Sequence, residues 1–210
     1  MPTTRIIETP HGPGRLVSSR SPSPFATLLI SHGAGAGIDT HDLAALARHL
    51  PGQGITVHRF EQPWVVAGRK VATPPRTLDD GLIAAASKIR TRTPLVIGGR
   101  SAGARSACRC ARDLGASGVL ALSFPLHPPG KPEKSRVAEL TGAGLPTLVI
   151  QGARDPMGRP EEFPGDTNLV EVPGGDHSLR VGKTAGLDMK EATALVVEAA
   201  LEWIGREIGR

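Results

Sequence analysis

The sequence has few aromatic residues: among its 210 residues there are four Phe, two Trp and no Tyr. Proteins that hold single-stranded nucleic acid use aromatic side chains as platforms on which the bases stack. The composition therefore argues against such a platform. It also means that Leu, Val, Ile and Ala must supply the hydrophobic core.

Cysteine is nearly absent as well, with Cys108 and Cys110 as the only two in the sequence. Two cysteines this close together do not easily meet the geometry of a disulfide bond. Two thiols are also too few for a structural zinc site. We therefore predict no metal centre, and we interpret the two thiols as a sign of a reducing compartment.

Long hydrophobic runs are missing too. The first 15 residues lack the apolar centre of a signal peptide, and no apolar run approaches the roughly 20 residues that cross a bilayer. The formal net charge of +5 is spread along the chain, whereas nucleic-acid binding predicts a clustered basic footprint. We predict a cytoplasmic protein whose partner is a small-molecule substrate, and neither a nucleic acid nor a membrane.

The residues that are present predict a globular α/β protein. Hydrophobic residues make up 39% and charged residues 21% of the chain, and its length fits one domain spanning residues 1–210. Six short apolar runs bounded by turn-forming residues are predicted to be buried strands. These strands are Phe25–Ser31, Ile55–Phe60, Pro94–Gly99, Gly118–Phe124, Pro146–Gln151 and Asn168–Val172.

Apolar residues at helical spacing lie between these strands and after the last one. A capping-box-like pair, Thr77 and Asp80, precedes one of these stretches, and a long loop is predicted for Glu61–Arg76. Strands that alternate with helices predict a mainly parallel central sheet with helices on both faces. The predicted helices cover residues 43–50, 78–89, 104–114 and about 189–208.

A Gly-x-Ser-x-Gly pattern runs from Gly99 to Gly103, with Ser101 at its centre. It lies between a predicted buried strand and a predicted helix, which is the context in which this motif forms a sharp turn that exposes the serine hydroxyl. The helix N-terminus also directs main-chain amides towards developing negative charge. We predict that Ser101 is a nucleophile, and an ordinary Gly-Ser turn is the alternative.

The glycine-rich stretch after the first predicted core strand reads SHGAGAG from Ser31. An oxyanion hole takes one amide from the residue after the nucleophile, here Ala102, and a second from this loop, for which we favour Ala34. We also predict that His32, Gly33 and Gly35 line the substrate. A dinucleotide loop with Glu61 as the ribose-binding acid is the alternative, but the glycine spacing is not G-x-G-x-x-G.

Two further loops supply the partners of a nucleophilic serine. His177 follows the last predicted strand, where it can act as general base. Asp155 follows the preceding strand and can accept the imidazole N–H, which gives the chain order Ser, Asp, His expected with this motif. Asp176 is the rival acid, but adjacent side chains on an extended loop tend to point apart.

With these loops assembled, the chain resembles the dienelactone-hydrolase-like branch of the α/β-hydrolases. It is most similar to a group of small proteins that includes bacterial relatives of a subunit of the NSL chromatin complex and of a testis-expressed protein. The resemblance implies the α/β-hydrolase fold and the same roles for Ser101, Asp155 and His177. Dienelactone hydrolases proper carry a cysteine where this chain has Ser101. The resemblance rests on SHGAGAG, RFEQPWVVAGRK, GGRSAGAR, FPLHPPGKPEK, QGARDP and GGDHSL.

We therefore predict a cofactor-free serine hydrolase of small esters or thioesters, with a non-catalytic interaction module of the same fold as the alternative. Only about 20 residues, Pro125–Leu145, separate two of the predicted strands, which predicts no large lid and a preference for short acyl groups. Arg100, with Arg105, Lys70 and Lys131, is a candidate contact for an anionic substrate, although scaffold salt bridges explain such residues more often. His127 is a candidate pocket residue, with a loop histidine of no role as the favoured alternative.

Overall fold

The protein, described by a computed structural model over residues 1–69, 74–183 and 185–209, is built on an eight-stranded sheet. The strand order across the sheet is β1-β2-β4-β3-β5-β6-β7-β8. From β4 to β8 all neighbouring strands pair in parallel, while β2 pairs antiparallel with both β1 and β4. The strands are β1 Thr3–Thr9, β2 Gly12–Ser19, β3 Ala26–Ser31, β4 Ile55–Glu61, β5 Leu95–Arg100, β6 Gly118–Leu122, β7 Thr147–Gly152 and β8 Leu169–Val172.

Helices cover both faces of this sheet. Each face has its own hydrophobic core: one includes the buried residues of α1 and α6, and the other includes those of α3, α4 and α5. The central strands β3 and β6 are buried along their whole length, because a sheet covered on both faces has no solvent side. The helices are α1 His41–His49, α2 Pro63–Val66, α3 Pro75–Ser87, α4 Ala102–Cys110, α5 Val137–Thr141 and α6 Met189–Glu207.

The predicted fold class is therefore confirmed, including the six core strands to within two residues at each end. The prediction missed the β1–β2 hairpin, which turns at Gly12 with a φ of 103°. β1 buries a single residue, Ile7, so its sequence carries no alternation from which a strand can be recognised.

Two local predictions were wrong. Thr77 and Asp80 do not form a capping box, because α3 begins earlier, with Pro74 at its N-cap and Pro75 as its first residue. Proline suits the first turn of a helix, where its missing N–H has no helical partner. The stretch Glu61–Arg76 is also not all loop, since it contains α2 and the start of α3.

The connection between β6 and β7 confirms the absence of a large lid. Every residue from 123 to 146 is described, and this segment contains a single 3₁₀ turn, Pro132–Lys134, besides the five-residue helix α5. Within the described ranges, none of the helices has the length and apolar composition required to cross a bilayer.

Candidate active site

Ser101 occupies a strained turn between β5 and α4. Its φ of 54° and ψ of −116° lie in a region that disfavours every residue except glycine. Packing holds it there: a Cβ at Gly103 would lie 2.6 Å from the His32 carbonyl oxygen, and a Cβ at Gly33 would lie 3.0 Å from the Ser101 Cβ. The loop after β3 and the turn between β5 and α4 therefore meet at Ser101, because glycine allows their main chains to approach.

Ser101, His177 and Asp155 form one hydrogen-bonded chain. Ser101 Oγ lies 2.8 Å from His177 Nε2, and His177 Nδ1 lies 2.7 Å from Asp155 Oδ2. The two contacts assign the imidazole roles, since Nδ1–H donates to the carboxylate and leaves Nε2 free to accept the serine proton. The His177 side chain is about a quarter exposed, whereas that of Asp155 is fully buried.

Two further donors fix the Asp155 carboxylate. The main-chain N–H of Met157 donates to Oδ1 at 2.8 Å, and the Gln151 side-chain amide donates to Oδ2 at 2.8 Å. The same amide group also donates to the Gly158 carbonyl at 2.8 Å. A buried carboxylate without such partners would be costly, so this arrangement keeps Asp155 in one orientation behind the imidazole.

The rival acid Asp176 lies elsewhere. Its Oδ1 accepts the main-chain N–H groups of Ser178 at 2.7 Å and Arg180 at 3.0 Å. Asp176 therefore shapes the turn that carries His177 and does not contact the imidazole. The close approach of this turn to the end of β7 depends on Gly152, where a Cβ would lie 2.5 Å from the carbonyl oxygens of Gly175 and Asp176.

Arg100, the candidate contact for an anionic substrate, is turned towards the scaffold. Its side chain is buried, its Nε lies 3.0 Å from Asp42 Oδ2, and its Nη2 donates to the His177 carbonyl at 3.2 Å. The favoured scaffold explanation holds for this residue. Arg100 joins α1 to the His177 loop, and its guanidinium is engaged on both sides.

The loop after β3 contains the predicted oxyanion and substrate residues. Gly33 lies against Ser101, while Ala34 and Gly35 are exposed at the following turn. Ala102 is the first residue of α4, where main-chain N–H groups have no helical partner. The structure thus brings Gly33 and Ala102 to the nucleophile and leaves Ala34 and Gly35 on the solvent side of the same loop.

His32 is not positioned to contact a substrate. Burial lowers its pKa, Nδ1 donates to the Gly33 carbonyl at 2.7 Å, and Nε2 accepts the Gln62 main-chain N–H at 3.0 Å. Both ring nitrogens are therefore used to hold the loop. Glu61, the ribose-binding acid of the dinucleotide alternative, forms an ion pair with Arg15 at 2.7 Å.

The remaining candidate residues are engaged elsewhere or exposed. Arg105 forms an ion pair with Glu139 at 2.6 Å, Lys131 is exposed, and Lys70 lies outside the described residues. His127 Nε2 lies 2.9 Å from Glu162 Oε2. The Pro128 carbonyl and the Glu162 carboxylate raise the pKa of His127, which favours an imidazolium that joins two surface segments.

Sequence reasoning missed two residues that support this site, Gln151 and Asp42. Gln151 offers a signal in retrospect, because it is a polar residue in the otherwise apolar strand TLVIQG and is fully buried. Asp42 offers none, since an acidic residue in the first turn of a helix is common for electrostatic reasons alone.

Neither the thiols nor a metal group offers a competing chemistry in the part of the chain that the structure describes. Burial raises the pKa of both Cys108 and Cys110 to about 12, so both thiols stay protonated and unreactive. No group of three or more His, Cys, Asp or Glu side chains in that part is arranged to hold a metal ion.

Comparison with known proteins gives the family. A profile of the family described as Alpha/beta hydrolase domain matches residues 24–205, and the chain belongs to this family. Solved structures with the same fold include an alpha/beta serine hydrolase without lid from Xanthomonas campestris, with 20% identity, a TM-score of 0.72 and coverage of 96% of this chain and 94% of that one.

Two other structures have the same fold at lower identity. The esterase domain of a Rhodothermus marinus protein has 16% identity and a TM-score of 0.73, with 98% of each chain covered. A dienelactone hydrolase from Anabaena variabilis has 16% identity and a TM-score of 0.75, with coverage of 99% of this chain and 98% of that one.

Proposed function

We propose that this member of the Alpha/beta hydrolase domain family is a serine hydrolase that cleaves small carboxylic esters or thioesters through an acyl-enzyme. One observation carries the proposal: the continuous chain from Ser101 Oγ to His177 at 2.8 Å and from His177 to Asp155 at 2.7 Å. This is the arrangement that lets a weak nucleophile lose its proton as it attacks.

The reaction follows from the positions of these groups. Ser101 Oγ attacks the substrate carbonyl carbon while His177 Nε2 takes the serine proton, and the imidazolium then gives that proton to the departing alkoxide or thiolate. Water attacks the acyl-enzyme by the same route, with His177 as base, and releases the carboxylic acid. Asp155 holds the imidazole tautomer and stabilises the imidazolium at each step.

The oxyanion is held by the main-chain N–H groups of Ala102 and Ala34. Ala102 begins α4 directly after the nucleophile. Gly33 packs against Ser101, and Ala34 follows it at the exposed turn of the same loop, which supports its N–H as the second proposed donor. Donors fixed before the reaction stabilise charge that develops only in the transition state. Main-chain donors also account for the small side chains in this loop.

Small substrates are favoured because little apolar surface covers Ser101. The β6–β7 segment supplies only a 3₁₀ turn and the helix α5 among its described residues. Each further methylene of an acyl chain adds about 0.8 kcal/mol of binding only if it leaves water. In a series of p-nitrophenyl esters from acetate to palmitate, kcat/KM is expected to level off at short chains, and a maximum at dodecanoate or beyond would contradict this.

A fluorophosphonate probe tests the proposal directly. We expect it to label the wild-type chain once, and we expect Ser101→Ala to abolish labelling, whereas Ser23→Ala, at an exposed serine, leaves it unchanged. Loss of ester hydrolysis in Ser101→Ala should reach several orders of magnitude, on the order of 10⁶-fold in a well-studied serine protease. Absence of labelling in the wild type would favour the non-catalytic interaction module.

A further inference from the structure

A concave surface lies at the amino ends of β3, β4 and β5, away from their carboxyl ends, where Ser101 follows β5. Its walls come from β1, from the segment after β2, from the first residues of β3 and β4, and from the segment between α3 and β5. Its volume is about 820 Å³, within the range of small-molecule sites. We call it the basic cleft, after the five cationic residues that line it: Arg5, Arg20, Lys88, Arg90 and Arg92.

The cations of the basic cleft are not neutralised. No Asp or Glu lines it among the described residues, and none of the ion pairs found in the described ranges involves its five cations. Elsewhere in the protein, arginine side chains form ion pairs with carboxylates. Arg109, for example, lies 2.7 Å from Asp79 and 2.9 Å from Glu139. Five like charges around one concavity repel one another, so the arrangement favours a bound anion.

The floor of the basic cleft is polar and ordered. Thr27 is buried, and its Oγ1 lies 2.9 Å from Thr91 Oγ1 and 2.8 Å from Thr93 Oγ1. Thr56, the β4 neighbour of Thr27, is buried beside it. The hydroxyls of Thr27, Thr91 and Thr93 bond to one another. Thr56 Oγ1 accepts the Ser21 main-chain N–H at 3.1 Å, and its own O–H can accompany the cations as a donor to an oxyanion.

The positive field reaches the buried end of the cleft. His58 lies in the floor, and burial together with the charges of Arg20 and Arg5 lowers its pKa to about 4. Arg5 also donates to the Lys88 carbonyl at 3.2 Å, which joins β1 to the end of α3. Cations from separate elements of the fold therefore surround the same cleft.

We propose that the basic cleft binds a small organic phosphate that carries at least two negative charges. Arginine is the side chain best matched to phosphate, because its fork of N–H groups donates to two oxygens at once. Five cations exceed what one carboxylate neutralises.

Single-stranded nucleic acid fits the basic cleft less well, since no Phe or Trp is among its described lining residues and stacking platforms require aromatic rings. The cleft also shares no residue with the Ser101, His177 and Asp155 chain. Binding there is therefore independent of the proposed hydrolase activity, and failure of one leaves the other standing.

Calorimetric titration of the full chain at physiological ionic strength tests the proposal, with ATP, tripolyphosphate and orthophosphate as probes. We expect one saturable site for ATP and for tripolyphosphate, and at least about tenfold weaker binding of orthophosphate. Arg20→Gln combined with Arg92→Gln should weaken ATP binding by about 100-fold, because removing each charge-assisted hydrogen bond weakens binding by about tenfold. Both arginines are exposed and lie outside the ion pairs above, so the variant should fold, which its melting temperature checks.

Lys183→Gln combined with Lys190→Gln is the matched control, because it also removes two exposed charges, both outside the basic cleft, and should leave ATP affinity within about twofold. An equal loss of ATP affinity in this control would show that the effect depends on the overall charge of the protein and not on the cleft, which would overturn the proposal. So would the absence of saturable ATP binding in the wild type. Binding of a 20-nucleotide RNA at least about tenfold more tightly than ATP, with the same dependence on Arg20 and Arg92, would instead assign the surface to nucleic acid.

Discussion

Two serine–histidine pairs lie at different places on the same sheet. Ser101 Oγ is 2.8 Å from His177 Nε2 at the carboxyl ends of the parallel strands, and Ser18 Oγ is 2.7 Å from His58 Nδ1 between the neighbouring strands β2 and β4. By the serine–imidazole distance alone the two pairs are equivalent. Their surroundings differ in every respect that matters for nucleophilic chemistry.

The first difference is the partner of the second ring nitrogen. His177 donates to the buried carboxylate of Asp155 at 2.7 Å, which favours the imidazolium that forms during proton transfer. His58 instead is buried, and it faces Arg5 and Arg20, so its pKa falls to about 4. An imidazole that resists protonation is a poor general base at neutral pH.

The second difference is the backbone of the serine. Ser101 is held at a φ of 54° before the first turn of α4, and the residue is partly exposed. Ser18 is buried within the extended strand β2 and pairs with His58 across the sheet. A short Ser–His contact is therefore not enough for a nucleophile, which also requires a carboxylate behind the imidazole, access for the substrate and nearby amide donors.

The largest effect is expected when the Ser101–His177 pair loses its carboxylate partner and so resembles the Ser18–His58 pair. Asp155→Asn removes the carboxylate from His177 while keeping the size of the side chain. The amide stabilises the wrong imidazole tautomer, and an equivalent change in a serine protease lowers kcat by about 10⁴-fold. We expect a loss of that order in ester hydrolysis, measured as kcat.

Asp176→Asn is the control for this prediction, because Asp176 accepts main-chain N–H groups of the His177 turn and not the imidazole. We expect it to change kcat by less than about tenfold, since a turn hydrogen bond contributes about 1 kcal/mol. Equal losses in the two variants would show that the turn, and not the carboxylate–imidazole contact, limits activity.

The second pair predicts a pH dependence of stability. In the unfolded chain His58 titrates near pH 6.5, whereas in the folded protein it takes up its proton near pH 4. The unfolded state therefore binds more protons between these values, and stability falls as the pH is lowered through this window. Wild type should lose about 3 kcal/mol more unfolding free energy than His58→Asn between pH 7 and pH 4, measured by urea denaturation. Parallel curves would show that folding does not hinder protonation of His58.

Much of the first pair could be predicted from sequence, and the second could not. Parallel strands end at one edge of a sheet, so the loops after β5, β7 and β8 had to converge once those apolar runs were recognised. Ser101, Asp155 and His177 follow these strands directly. Ser18 and His58 meet through pairing of β4 with β2, a strand whose sequence was not recognised.

Side-chain direction is the part that sequence leaves open. Arg100 precedes the nucleophile, and the sequence left open whether it contacts a substrate or the scaffold; it turns inward to Asp42. His32 likewise turns away, to the Gln62 main chain. Which way a polar side chain turns depends on long-range partners that the packing of distant elements supplies, and periodicity does not contain that information.

A smaller effect is expected when Ser101, His177 and Asp155 are kept but a hydrogen bond that holds Asp155 is removed. Gln151→Leu removes the amide that donates to Asp155 Oδ2 at 2.8 Å. A hydrogen bond to a charged group contributes about 1.5–3 kcal/mol, so kcat/KM and the rate of fluorophosphonate labelling should fall by about 10- to 100-fold.

Gln62→Leu is the matched control for Gln151→Leu. Gln62 is equally buried, and its amide donates to the Leu78 carbonyl at 3.1 Å, away from the triad. Both variants should lower the melting temperature, but only Gln151→Leu should slow labelling at a temperature where both are folded. Slower labelling in Gln62→Leu would show that general loosening of the core is the cause.

The smallest effect concerns stability and has opposite signs in the two pairs. Ser101→Gly relieves a positive φ of 54° that disfavours any side chain, and after the entropic cost of glycine a net gain of about 1 kcal/mol is expected. Ser18→Ala has no strain to relieve and leaves His58 Nδ1 buried without its partner at 2.7 Å, which costs about 1–3 kcal/mol. Urea denaturation at pH 7 measures both changes. If Ser101→Gly were destabilising, the positive φ of Ser101 would not lower the stability of the folded protein. The two serines would then not differ in backbone strain.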